Sequence, residues 1–251
     1  EGEGQVTYPD GSVYVGTFRD DLADGTGKIT YPDGSTYEGE WVAGVIEGEG
    51  IATYTNGVVY EGEFKDARNH GQGVMTYADG YRYEGGWQDG QRHGQGKATY
   101  PDGTVYEGEF RDGQRHGQGK ITMASGFVYE GEWTEGEIEG EGVATYANGD
   151  VYEGTFKAGK RQGTGTMRYS SGEEASGDWE NGALNDGTAE AVESETEAET
   201  PAEALPADET PAEDEAPGAA APAEDATSED ATAEDATAEE TPPPSTAADG
   251  G

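Results

Sequence analysis

The chain has 251 residues, of which 43 are glycine, and only 31% are hydrophobic, so one large aliphatic core is excluded. Its 54 acidic and 14 basic residues give a net charge of −40, which opposes nucleic acid and anionic lipid headgroups and favours a partner with a basic surface. There is no cysteine, which removes disulfides and thiolate metal sites, and no apolar run approaches the roughly 20 residues of a membrane helix.

The chain opens at Glu1 with Gly2 and Gly4 at the phase that Gly25 and Gly27 occupy one unit later, so it begins inside an earlier repeat. A start without Met reads as a processed leader or a fragment; a processed one would put the protein outside the cytoplasm or beside a membrane. From there Tyr14, Tyr37, Tyr60, Tyr83, Tyr106, Tyr129 and Tyr152 recur every 23 residues. Four residues after each stands Phe18, Trp41, Phe64, Trp87, Phe110, Trp133 or Phe156, and midway lies Gly16, Gly39, Gly62, Gly85, Gly108, Gly131 or Gly154. An eighth unit keeps Gly177 and Trp179 but has Ala175 in place of the Tyr, as a cap would.

Within a unit the pattern has period two, the mark of strands. In "YEGEW" Tyr37, Gly39 and Trp41 share one face while Glu38 and Glu40 take the other. In "GEGIATY" Gly48, Gly50, Ala52 and Tyr54 alternate with Glu49, Ile51 and Thr53. Turns of the type Pro-Asp-Gly (Pro9, Pro32, Pro101) or Asn-Gly (Asn56, Asn148) join the units: Pro fixes φ, Asp or Asn caps, and Gly takes positive φ. The expected fold is all-β, an elongated solenoid of stacked hairpins in one twisted, curled antiparallel sheet. Three aromatics per unit offer about 450 to 750 Å² of ring surface, too much to leave in water. The sheet must curl so that rings lie on neighbouring backbone, and the glycines make room for them. The expected repeat core is therefore Tyr37, Gly39, Trp41, Tyr60, Gly62, Phe64, Tyr83, Gly85, Trp87, Tyr106, Gly108, Phe110, Tyr129, Gly131 and Trp133.

The middle units differ in charge: residues 60 to 122 carry a net −2, against −9 on either side. There the segments "ARNHGQG", "GQRHGQG" and "GQRHGQG" read as loops that stack His70, Arg92, His93, Arg115 and His116 into a partner-binding ladder. One metal cannot join histidines about 10 Å apart, so no metal or cofactor is expected. The GxG pairs lack the Lys and helix of a phosphate loop, and carboxylates repeated in every unit belong to a surface rather than a catalytic pocket.

Beyond Gly187 the composition changes. Residues 188 to 251 hold 20 acidic and no basic residues among Ala, Thr and eight prolines, which predicts a disordered acidic tail after a rod spanning 1 to 187.

The spacing and "YEGEF" or "YEGEW" at Tyr37, Tyr60, Tyr106 and Tyr129 resemble the MORN (membrane occupation and recognition nexus) repeat, over residues 5 to 187. The resemblance is to bacterial multi-repeat members, many of which begin with an export signal. It implies a β-hairpin solenoid used for protein interaction, for self-association and, in some members, for membrane association. Three functions follow as alternatives. The first is a non-enzymatic scaffold for protein partners, with self-association through the terminal repeats. The second is a phospholipid-binding module, disfavoured by the charge. The third is the interaction region of an enzyme whose catalytic domain, such as a lipid kinase or lysine methyltransferase, lies outside this chain.

Overall fold

The structure, a computed structural model, describes residues 1 to 185, so the expected acidic tail lies outside the described residues. Seventeen strands follow in chain order: β1 (Gly2–Thr7), β2 (Val13–Arg19), β3 (Leu22–Thr30), β4 (Thr36–Val42), β5 (Val45–Thr53), β6 (Val59–Lys65), β7 (Arg68–Thr76), β8 (Arg82–Gln88) and β9 (Gln91–Thr99). They continue with β10 (Val105–Arg111), β11 (Gln114–Thr122), β12 (Val128–Thr134), β13 (Glu137–Thr145), β14 (Val151–Lys157), β15 (Lys160–Arg168), β16 (Glu174–Glu180) and β17 (Ala183–Leu184). Each strand pairs antiparallel with the next, giving one open sheet.

Two kinds of turn set this meander. Between units, Tyr8 N–H bonds Ser12 O at 2.8 Å while the Asp10 carboxylate accepts the Ser12 N–H at 2.8 Å and Gly11 takes φ 92°. Asp33, Asn56, Asp79, Asp102 and Asn148 cap their turns in the same way. Inside each unit lies a second, tighter turn that the sequence reading passed over. Ala43 and Gly44, at φ 48° and 85°, are the two central residues of a primed hairpin, whose twist matches that of the flanking strands. The second strand of each unit consequently starts earlier than expected, at Val45 rather than Gly48.

Register then locks the glycines into a single row across the sheet: Gly16 opposite Gly27, then Gly39, Gly50, Gly62, Gly73, Gly85, Gly96, Gly108 and Gly119, each facing the next. Each tyrosine ring lies along this row. A Cβ on Gly108 would meet the Cα of Gly119 at 2.5 Å and the Tyr106 hydroxyl at 2.7 Å, so no side chain can stand there. Freed to lie flat on backbone, Tyr37, Tyr60, Tyr83, Tyr106 and Tyr129 are fully buried.

The rings interlock along the solenoid. Tyr60 meets Phe64 of its own unit edge-on at 5.0 Å and Trp87 of the next at 5.3 Å; Tyr83 does the same with Trp87 at 5.2 Å and Phe110 at 5.0 Å. Such pairs contribute about 0.5 to 1.5 kcal/mol each beyond area burial. The polar ends are satisfied by backbone: Tyr37 hydroxyl donates to Glu40 O at 3.1 Å, and Trp41 Nε1 to Gly27 O at 3.3 Å. Burial pushes the phenols of Tyr14 and Tyr152 up to about 12, at Tyr152 against the pull of Arg161, and those of Tyr37, Tyr60 and Tyr129 further, where nearby carboxylates add to it.

Candidate functional site

The sheet face opposite the rings carries the polar side chains, and pairing turns them into rows. One row runs Lys28, Glu38, Ile51, Glu61, Val74, Glu84, Lys97, Glu107, Lys120, Glu130, Val143 and Glu153, one residue from each successive strand. Lys28 with Glu38 (3.2 Å), Lys97 with Glu107 (2.8 Å) and Lys120 with Glu130 (3.4 Å) form exposed cross-strand ion pairs. Each is worth little, about 0 to 1 kcal/mol, so the row is not there to hold the sheet. Ile51 and Val143 stand 44% and 38% exposed in the same row, aliphatic steps in a charged track.

Along the middle of this face the sheet is concave. A trough of about 830 Å³ runs over β7 to β12, with Gly85, Gly96, Gly108 and Gly119 on its floor and Gln72, Glu84, Gln95, Lys97, Glu107, Gln118, Lys120 and Glu130 on its sides. A second trough of about 630 Å³ continues it, from Gln118 to Glu153. The glycine row that admits the tyrosines on one face is thus the bare floor of a groove on the other.

The expected ladder does not survive intact. The segments read as loops are strands, since the tight turn at Asp89 and Gly90 begins β9 at Gln91. That turn pairs Arg92 with Trp87 and so sends Arg92 to the ring face, where only 2% of it is exposed. Its guanidinium donates from Nη1 to the Tyr81 hydroxyl at 2.6 Å and from Nη2 to Gly113 O in the next unit's turn, and lies 5.1 Å from the Phe110 ring centre. Arg115 repeats the arrangement, also 2% exposed, donating to Gly136 O at 3.2 Å and stacking 4.9 Å from Trp133. Arg161 does so against Gly182 O and Trp179. Each of the three clasps one unit to the next; Arg92 and Arg115 do so inside the core, out of a partner's reach, while Arg161 is only half-buried. The signal was present: the same phase holds Ala23, Ile46 and Ile138, which are buried apolar residues.

The histidines take the opposite parity. His70, His93 and His116 are half-buried on the trough face, beside the bulges of β6, β8 and β10. His70 Nδ1 comes within 3.9 Å of Asp89 in the following turn. No group of three or more His, Asp or Glu side chains is placed to hold a metal among the described residues. Nor is any described helix long and apolar enough to cross a membrane.

A meander of register-locked hairpins with rings on one face and an open polar track on the other defines a β-hairpin repeat scaffold. The chain belongs to the MORN repeat family, whose pattern matches seven consecutive units at residues 14–36, 37–59, 60–80, 83–105, 106–128, 129–151 and 152–174. No curated protein is significantly similar to it. Among solved structures it is similar to the TCP domain of SAS-4 from Drosophila melanogaster in complex with a proline-rich motif of Ana2, at 12% identity and a TM-score of 0.39 over 70% of this chain and 90% of that one. It is similar also to the TCP10 domain of Danio rerio CPAP with a peptide of STIL, at 13% identity and a TM-score of 0.38 over 70% and 83%.

Proposed function

We propose that this chain is a non-enzymatic scaffold that holds an extended, basic segment of a protein partner along the trough face. The observation that carries the reading is the register of that face. Glu38, Glu61, Glu84, Glu107, Glu130 and Glu153 recur on every second strand, about 10 Å apart, beside a glycine floor that leaves room for a chain to lie against the sheet. Folding does not need these carboxylates in a line, because their pairs are solvent-exposed. A partner with Lys or Arg at matching intervals gains many weak, register-dependent contacts, and Ile51 and Val143 add apolar anchoring at the flanks. The acidic balance disfavours anionic membranes for the same reason that it favours basic peptides.

The test is to titrate a defined extended peptide of alternating Lys and Ser into the labelled chain and map amide shifts, with phosphatidylserine vesicles as a parallel arm. Shifts confined to the trough residues and no vesicle co-sedimentation at low salt support the reading. Shifts on the turns and ring face, or salt-sensitive vesicle binding without peptide binding, contradict it.

A further inference from the structure

The ion-pair row on the trough face has one carboxylate that the protein leaves unpaired. Glu38 meets Lys28 at 3.2 Å, Glu84 meets Arg82 at 2.7 Å, Glu107 meets Lys97 at 2.8 Å, Glu130 meets Lys120 at 3.4 Å and Glu153 meets Arg168 at 2.9 Å. Glu61 stands exposed in the same row, and no cation of the described residues is in ion-pair reach of it. Its neighbour along the strand on that face, Glu63, is engaged in another way: its Oε1 accepts the Gln72 N–H at 2.8 Å.

What surrounds Glu61 differs as well. Register places Ile51 directly opposite it on β5 and Val74 directly opposite it on β7, the first exposed and the second half-buried. Of the other carboxylates in the row, Glu38, Glu84, Glu130 and Glu153 have an aliphatic residue on one side only, and Glu107 has one on neither. Branched aliphatics suit a strand wherever they stand, so Ile51 and Val74 by themselves would mean little. A free carboxylate held between them is different, because the two features match two parts of one ligand. Cross-strand neighbours have Cβ atoms about 5 Å apart, so an apolar stem laid over this spot touches an aliphatic side chain while its charged end reaches the carboxylate. A lysine side chain has this make-up, a flexible four-carbon stem ending in a compact ammonium. The place also fits the track, since β6 borders β7, where the larger trough begins.

We propose that Glu61, Ile51 and Val74 form the anchor subsite of the track, which takes one lysine side chain of the basic partner segment and fixes the segment's register on the sheet. The ammonium pairs with the Glu61 carboxylate, and the stem packs across Ile51 and Val74. The carboxylates further along, each with a cation of its own, add less apiece, because a partner's base must share them with Arg82, Lys97, Lys120 or Arg168. This inference rests on the trough face being the binding face, and it names the chemistry and the position at which that face selects its partner.

The experiment titrates two peptides into the full chain and its variants at fixed low salt: the alternating Lys and Ser peptide, and the same peptide with diaminobutyrate, which keeps the charge on a shorter stem, in place of each Lys. Glu61→Gln should weaken the Lys peptide about tenfold, and Glu107→Gln, whose carboxylate is shared with Lys97, by less than about threefold. Ile51→Thr with Val74→Thr keeps strand-forming residues and should weaken the Lys peptide about fivefold through lost stem burial. The same pair should change binding of the diaminobutyrate peptide by less than about twofold. Because Glu61 has no partner in the fold, Glu61→Gln should unfold in urea as the wild type does, and a lower midpoint would give Glu61 a structural role and overturn the proposal. Equal losses for Glu61→Gln and Glu107→Gln, or an effect of the threonine pair that is the same for both peptides, overturn the anchor while the trough remains the binding face. A Lys peptide that does not bind the wild-type chain overturns both readings.

Discussion

Replacing Gly108 by Ala adds one methyl group at the crossing of strand and ring. The new Cβ would lie 2.5 Å from the Gly119 Cα, 2.7 Å from Gln118 O and 2.7 Å from the Tyr106 hydroxyl. Two of these three are backbone atoms of the paired strand, which cannot rotate away, so the strands must separate or the ring must lift. Overpacking of this kind costs about 1 to 3 kcal/mol. Lifting Tyr106 also breaks its 3.0 Å bond to Glu109 O, worth about 1 kcal/mol more. The expected loss is therefore about 2 to 4 kcal/mol. In a solenoid whose units are held by their neighbours it should also loosen the flanking units, splitting one transition into two. The assay is urea unfolding followed by tryptophan fluorescence, since Trp87 and Trp133 flank the site. Gly103→Ala is the control: Gly103 has φ 89° but open space around it, so it should lose only the cost of a left-handed Ala, about 1 kcal/mol. If Gly108→Ala unfolds like the wild type, or no worse than the control, the glycine row does not exist to seat the rings.

Two further outcomes follow from the core. Arg92→Ala removes a buried clasp to Gly113 O, Tyr81 and Phe110 and should destabilise by on the order of 2 to 3 kcal/mol in thermal or urea unfolding, while exposed Arg111→Ala stays within about 0.5 kcal/mol; equal effects would return Arg92 to the surface. The buried tyrosines hold their protons above the unfolded value of 10, so their contribution is intact below pH 10 and is lost as pH rises through their folded range of about 12 and beyond, at up to about 1.4 kcal/mol per pH unit for each. Tyrosinate absorbance should therefore rise together with loss of β-sheet circular dichroism above pH 10, and ionisation near pH 10 with the sheet intact would contradict the burial.

The fold was legible because a 23-residue spacing with alternating polarity leaves few ways to satisfy both the rings and the backbone. Tyr37, Gly39 and Trp41 announce a strand face, and Pro32, Asp33 and Gly34 announce its turn. Arg92 misled because a guanidinium next to His93 and Gly94 reads as surface; only the two-residue turn at Asp89 and Gly90 fixes its parity, and that turn hides in a run of polar residues. The trough could not be read from the chain at all. Glu84, Lys97, Glu107 and Lys120 lie 10 or 13 residues apart in sequence and become neighbours only through pairing.

Charge reversal in two places tests the scaffold reading most directly. Glu107→Lys with Glu130→Lys reverses two positions in the trough row, whereas Glu135→Lys with Glu137→Lys makes the same change in net charge at the tight turn of the β12–β13 hairpin. Affinity for the basic peptide is read by titration at fixed salt. If the trough is the binding face, the first pair should weaken binding by about tenfold or more, near 1.4 kcal/mol, and the second should change it by less than about twofold. Equal weakening by both pairs would mean that the peptide senses only bulk charge, and would contradict a register-specific track.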